Sequence, residues 1–217
     1  MLVISHRGYH VNLPENTLAA FAAAAALGVD GIETDIRLTA DGQAILFHDH
    51  LTPDGRPLAE VSHAELSRVA GYDVPTAESA LAQFPDVLWN LEIKVPAALN
   101  ATLELIDRYR GSRQLFITSF WHNLIDSVAS QFDVDCGWLV SHRPRLPPMT
   151  GTPRVRTIVW YYETMDPELI AIRKQIGLRN MAYGVITPAE HARCRELGLD
   201  GVITDRPEYC AIAADGT

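Results

Sequence analysis

Short runs rich in Val, Ile and Leu recur along the whole chain. They fall at Leu2–Ser5, Gly31–Leu38, Ala44–His48, Leu88–Lys94, Leu115–Phe120, Cys136–Val140, Thr157–Tyr161, Met181–Ile186 and Gly201–Thr204. Most are apolar with little alternation, the pattern of strands buried on both faces. Helical stretches fall between most of them. Thr17–Leu27 is almost wholly Ala, Leu and Phe, with Asn16 where an N-cap belongs and Gly28 where a helix stops. Thr76–Gln83, Ala97–Tyr109, Asn123–Gln131, Pro167–Ile176 and Pro188–Leu197 follow. The last two open on a proline that a first helical turn tolerates. Strands alternating with helices predict parallel βαβ units. Eight of them predict an α/β fold of the TIM-like (β/α)8 barrel type, a single domain over residues 1–217. A doubly wound open sheet shares this periodicity and is the alternative.

Two stretches break the alternation. Ala44–His48 is one strand too many; it follows the turn signal Asp41-Gly42 and reads as a hairpin partner of the second strand or a strand of the rim. Ser141–Arg156 is Pro-rich without helical periodicity, and reads as a long irregular connection near the active-site face.

Composition narrows the function. The formal net charge is −9, with no run of Lys or Arg, which excludes a duplex nucleic acid as partner. An acidic protein can still handle a phosphate where a bound metal ion reverses the local sign. No apolar stretch is long enough to span a bilayer, and Met1–Arg7 reads as a first strand and not as a signal peptide. Cys136, Cys194 and Cys210 are few and widely spaced, which fits a reducing cytoplasm better than a disulfide framework.

The polar residues set into apolar strands carry the chemistry. Glu33 and Asp35 lie two apart in one strand, so both carboxylates enter the same space. Burying two unpaired like charges is costly, and a divalent cation resolves that cost; oxygen-only ligation suits Mg2+ or Ca2+. The spacing returns at Glu92 and Lys94, where Glu92 can add a third oxygen ligand and Lys94 can face an anionic substrate. His6 ends the first strand and His48 the extra one, and together they can serve as an acid/base pair. Each feature alone is also what an ordinary polar strand face, ion pair or exposed histidine looks like. Spacing by itself leaves metal-assisted hydrolysis and the structural reading both open.

The motifs in order decide between them. His6-Arg-Gly, Pro14-Glu-Asn-Thr17, Glu33-x-Asp35, Leu38-Thr-x-Asp-Gly42, His48-Asp49, Val74-Pro-Thr-x-x-Glu78, Leu91-Glu-Ile-Lys94, Ser119-Phe120 and Gly198-Leu-Asp-Gly-Val-Ile-Thr-Asp-Arg-Pro207 span nearly the whole chain. This series resembles the glycerophosphodiester phosphodiesterase family. The resemblance implies a TIM barrel that hydrolyses glycerophosphodiesters, small-molecule substrates, to sn-glycerol 3-phosphate and an alcohol. It implies one Mg2+ or Ca2+ on Glu33, Asp35 and Glu92, His6 and His48 as general acid and base, and Arg7 and Lys94 on the phosphate oxygens. The single-domain form is consistent with a monomer or small homo-oligomer.

Two departures bear on substrate choice. Where the family carries a substrate-lining insertion after His-Asp, this chain has only Leu51–Val74, which implies a more open pocket. Where the family often reads Trp-Thr-Val-Asn, this chain has Tyr183-Gly-Val-Ile186. Tyr183 can pack on a glycerol moiety, whereas Ile186 lacks the amide. Glu15 and Asn16 are expected to fix the first loop and cap its helix, and His10 to be an exposed loop histidine. A lysophospholipase D-type activity on a lipid substrate is the nearest alternative, and an exposed apolar rim would favour it. A non-catalytic phosphodiester-binding barrel is a weaker reading, because no histidine or carboxylate of the set is missing. A carbohydrate-active barrel using Glu33 and Glu92 leaves Arg7, Lys94 and both histidines without a role.

Overall fold

The structure, a computed structural model, describes residues 1–143 and 154–211. Its strands are β1 (Leu2–Ser5), β2 (Gly31–Leu38), β3 (Ala44–Leu46), β4 (Leu88–Ile93), β5 (Gln114–Ser119), β6 (Asp135–Val140), β7 (Val155–Tyr161), β8 (Arg179–Val185) and β9 (Gly201–Thr204). All but β3 run parallel, in the order β1-β9-β8-β7-β6-β5-β4-β2, and β2 closes the ring by pairing with β1 through Ile4↔Gly31 and Ser5↔Ile32. That pairing makes a barrel and removes the open-sheet alternative.

β3 is the predicted hairpin partner. β2 has eight residues and β1 only four, so β1 covers just the lower end of β2. β3 runs antiparallel along the uncovered end, pairing Ile36↔Leu46 and Leu38↔Ala44, which satisfies backbone groups that would otherwise form an open edge.

The helices are α1 (Leu18–Ala26), α2 (His63–Ala70), α3 (Ala77–Gln83), α4 (Leu99–Tyr109), α5 (His122–Gln131), α6 (Pro167–Gln175), α7 (Pro188–Glu196) and the short α8 (Glu208–Ala211). α2 was not expected. Ser62 and Glu65 form its capping box and Gly71 ends it in the left-handed region, yet it buries a single residue, Leu66, so its sequence shows no apolar stripe. The cap of α1 is Thr17, whose side chain accepts from the Ala20 N–H, and not Asn16 as expected. Of the Pro-rich connection expected over Ser141–Arg156, residues 144–153 lie outside the described residues.

Two apolar layers hold the barrel. Ile4, Phe116, Leu139, Val159, Met181 and Ile203 fill its interior, each from a different strand. The outer faces of the strands pack against the helices, with Phe21, Trp89, Ile125, Val128 and Ile170 almost fully buried. Trp89 meets Phe21 edge-on at 5.3 Å and donates its ring N–H to the Phe84 carbonyl at 3.1 Å. Each such side chain contributes about 1.5–3 kcal/mol. The 44–74 excursion carries a small core of its own: Ile45, Leu58, Val61, Leu66 and Val74. Among the described residues no helix is long and apolar enough to cross a membrane.

Candidate active site

The polar residues singled out in the sequence converge at the C-terminal ends of the strands, where barrels carry their sites. His6, Arg7, Glu33, His48, Glu92, Lys94 and Tyr183 all line one cavity of about 200 Å³. Strand register explains the meeting. Asp35 pairs with Glu92 and Glu33 with Asn90 across β2 and β4, so alternate residues of the two strands put their side chains on the inner side together. The ligating atoms of Glu33, Asp35 and Glu92 lie within 4.8 Å of one another, and all three residues are buried.

Lys94 stands between two of these carboxylates, with Nζ 3.2 Å from Asp35 Oδ1 and 2.9 Å from Glu92 Oε1. Arg7 brings Nε to 3.2 Å from Asp35 Oδ2, while its Nη1 donates to both oxygens of Glu15 at 3.0 Å. Its peptide N–H donates to Glu33 Oε2 at 3.1 Å. Arg7 has φ +53° and Asn16 has φ +56°, left-handed conformations that cost a non-glycine residue on the order of 1 kcal/mol each. The loop holds both through an Asn16 N–H to Arg7 carbonyl bond of 3.0 Å. The Asn16 amide then donates to Asp35 at 2.9 Å and accepts from Thr34 at 2.6 Å. Asn16 therefore orients a carboxylate, and Glu15 a guanidinium, roles beyond fixing the loop. Gly8 follows at φ +78°, where a Cβ would stand 2.8 Å from the Ala20 backbone, so the loop can lie on α1 only with glycine there.

The electrostatics separate the three carboxylates. Burial opposes ionisation of Asp35, but Lys94 and Arg7 outweigh it and hold this carboxyl below its usual range. Burial, then the charges of Asp35 and Glu92, push Glu33 well above the usual carboxylate range. Burial and Asp35 also raise Glu92, with Lys94 opposing. Burial lowers the pKa of Lys94; Asp35 and Glu92 more than reverse this and raise it above that of an ordinary lysine. Glu33, Asp35 and Glu92 together offer an all-oxygen donor set of the kind that hard divalent cations take.

The two histidines differ in setting. His48 Nδ1 lies 2.8 Å from Asp49, a neighbour exposed to solvent, and burial of the imidazole lowers its pKa below that of an ordinary histidine. Its carbonyl accepts from Arg37 Nε at 2.7 Å, which anchors the segment after β3. His6 points Nε2 toward Glu33 at 3.8 Å and Nδ1 toward Asp205 at 2.6 Å. Asp205 also receives His10 Nε2 at 3.2 Å, so His10 is partly enclosed and bonded, and not the free loop residue expected. Asp205 stands in the closing motif Gly198–Pro207, where the sequence assigns it no role. Its partners lie 199 and 195 residues away, beyond the reach of spacing arguments.

The opposite wall is apolar. Phe120, Leu139, Tyr183 and Ile203 face the charged residues, with Tyr183 edge-on to Phe120 at 5.9 Å. A register shift at Gly184, which has φ +72°, turns Val185 outward into the helix layer and leaves Ile186 54% exposed at the rim.

Comparisons with known proteins identify the family and the fold. The model of the Glycerophosphoryl diester phosphodiesterase family matches residues 6–143 and 141–209. A glycerophosphodiester phosphodiesterase of Caldanaerobacter subterraneus is 30% identical over 235 aligned residues, covering 95% of each chain. Among solved structures, the glycerophosphodiester phosphodiesterase of Thermotoga maritima superposes with a TM-score of 0.83 at 24% identity, over 98% of this chain and 97% of that one. A phosphodiesterase of Oleispira antarctica, solved in complex with the product sn-glycerol-3-phosphate, superposes with a TM-score of 0.86 at 24% identity, over 100% of this chain and 97% of that one. By the extent of the family match and the similarity of its relatives, this chain belongs to the glycerophosphoryl diester phosphodiesterase family.

Proposed function

We propose that this protein hydrolyses glycerophosphodiesters to sn-glycerol 3-phosphate and an alcohol. The observation that carries the reading is the convergence, on one cavity, of two histidines, two cations and the carboxylates of Glu33 and Glu92, with Asp35 buried beside them in a three-carboxylate cluster. Glu33, Asp35 and Glu92 would hold one Mg2+ or Ca2+, which when bound supplies a Lewis acid for a phosphoryl oxygen. Arg7 and Lys94 bind and orient the phosphodiester, the guanidinium as a planar fork and the ammonium as a point charge. Both are held in place before substrate arrives, so little reorganisation is needed as charge builds on the phosphoryl oxygens. His6 and His48 move the protons: one takes a proton from the attacking hydroxyl, of water or of the glycerol, and the other gives one to the departing alkoxide. Tyr183 and the apolar wall pack against the carbon face of the glycerol.

Glycerol 3-phosphate release from glycerophosphocholine, glycerophosphoethanolamine and glycerophosphoglycerol tests the reading. It is run in EDTA, with Mg2+ or Ca2+ restored, and with His6→Ala and His48→Ala. Turnover that needs the cation and disappears in both variants is expected. A folded, cation-loaded protein that turns over none of the three refutes it. A lysophospholipid belongs in the same panel, because Phe120, Trp121 and Ile186 are 43–54% exposed and Phe120 lines the cavity. These side chains can meet an acyl chain, as a lysophospholipase D-type activity requires.

A further inference from the structure

We infer that Asp205 is the positioning residue for His6, and that His10 holds Asp205 in place from the other side. The inference rests on the proposed function for its consequence in turnover, but its geometry stands independently.

The barrel's closure builds the arrangement. β1 and β9 are parallel neighbours in the register Ser5↔Thr204, and the His6 N–H donates to the Thr204 carbonyl at 2.9 Å. The next residue on each strand is His6 on one and Asp205 on the other, so their side chains emerge side by side. The loop that starts at Arg7 then folds back and returns His10 to the same carboxylate. One oxygen, Asp205 Oδ1, lies 2.6 Å from His6 Nδ1 and 3.2 Å from His10 Nε2. A carboxylate oxygen has lone pairs for two donors, and an ionised carboxylate can only accept. Both ring nitrogens therefore carry protons. For His6 this assigns a proton to Nδ1, which donates to Asp205, and turns Nε2 toward the cavity, where it can exchange a proton with the substrate.

The rest of the molecule gives Asp205 no competing task. Among the described residues its side-chain hydrogen bonds run to these two histidines alone. Among the described residues it caps no helix and pairs with no Lys or Arg. The equivalent partner of His48 is Asp49, its sequence neighbour, whose side chain is 71% exposed against 39% for Asp205. The better-shielded hydrogen bond is the one made across the barrel seam, and it fixes the ring more firmly.

The test uses the full chain with Mg2+ or Ca2+ present. Kinetics on glycerophosphocholine are compared for wild type, Asp205→Ala, Asp205→Glu, His10→Ala and His10→Gln. Asp205→Ala should lower kcat about 100-fold with KM changed by less than about 3-fold. Asp205→Glu, which keeps the carboxylate, should recover about tenfold of that loss. His10→Ala should cost about 3–10-fold in kcat and His10→Gln, which keeps an N–H donor, should restore it. If Asp205→Ala does not fold, the isosteric Asp205→Asn takes its place. A merely structural role would lower stability without the split between kcat and KM and without rescue by glutamate. 15N NMR of the histidine rings supplies a readout that needs no turnover. His6 should show a protonated, hydrogen-bonded Nδ1 in wild type, and loss of that single arrangement in the Asp205 variant. A wild-type His6 whose Nδ1 carries no proton, or a variant lacking the carboxylate whose kcat is within about 3-fold of wild type, overturns the inference. Absence of wild-type turnover on glycerophosphocholine and on the other two glycerophosphodiesters would refute the proposed function, while the proton on His6 Nδ1 would still decide this inference.

Discussion

Glutamine at position 33 should make the metal-free protein more stable and the enzyme inactive. Glu33 is 3% exposed and shares its space with the carboxylates of Asp35 and Glu92, all within 4.8 Å. The nearby cations are engaged elsewhere: Lys94 by Asp35 and Glu92, the Arg7 guanidinium by Glu15 and Asp35. Two charges at that separation repel by about 3.5 kcal/mol at an effective dielectric constant of ~20. The molecule does not bear the full cost, because Glu33 can take a proton instead. Burial, followed by its two acidic neighbours, raises its pKa for this reason. Protonation caps the penalty at pH 7 at about 1.4 kcal/mol for each pH unit above ~4.3, or about 4 kcal/mol in all. Glu33→Gln removes that penalty and keeps an oxygen acceptor for the Arg7 N–H. In EDTA at pH 7 the variant should gain about 2–3 kcal/mol, a rise in Tm of about 5–10 °C. Because the folded pKa is raised, the penalty is absent below the unfolded pKa and grows as pH increases. The gap between variant and wild type should therefore close toward about pH 4. Added Mg2+ or Ca2+ should reverse the ranking by stabilising wild type more. Thermal melts from pH 4 to 8, with and without cation, read all of this beside glycerol 3-phosphate release. A variant that melts no higher than wild type in EDTA at pH 7, or a gap indifferent to pH, refutes the reasoning.

Three further outcomes are expected. Gly8→Ala adds a Cβ 2.8 Å from the Ala20 backbone at φ +78°, so it should cost about 2–3 kcal/mol, whereas Gly42→Ala, at the same φ in open space, should cost about 1 kcal/mol; denaturant titration compares them. Lys94→Met strips Asp35 and Glu92 of their shared cation and should cost about 3 kcal/mol in EDTA by urea unfolding, less when Mg2+ or Ca2+ is present. If His48 acts as the base, its loss of the neutral form sets the acid limb of kcat/KM. Burial lowers its pKa, so that limb should lie below 6.5, and His48→Gln should abolish it along with about 100-fold or more of the rate.

Much of the fold was legible because its strands are continuous apolar runs and its helices are bounded by caps, prolines and glycines. Each expected strand and each expected helix falls within two residues of its expected bounds. What escaped was set by tertiary need. α2 buries only Leu66, so composition hid it although Ser62, Glu65 and Gly71 mark its ends. Asn16 looks like a cap, but Thr17 can do that work, and Asn16 is drawn into a left-handed conformation that places its amide on Asp35. Glu33, Asp35, Glu92 and Lys94 were legible because period-two spacing survives into three dimensions. Asp205 and His10 were not, because their meeting depends on which strands become neighbours when the ring closes.

That closure also orders events in time. β1 is complete within the first five residues, yet one of its edges is satisfied only by β9, about 200 residues later. At a synthesis rate of about 5–20 residues per second, that edge waits on the order of tens of seconds before its partner exists. In that interval it offers unpaired backbone groups to any passing strand. The short length of β1 limits the template it offers, and so does the loop that leads away from it. The same delay means that His6 meets Asp205 only when the final strand docks. A chain that stops short of β9 lacks the contact, and slow, long-range closure is the step on which folding speed should depend.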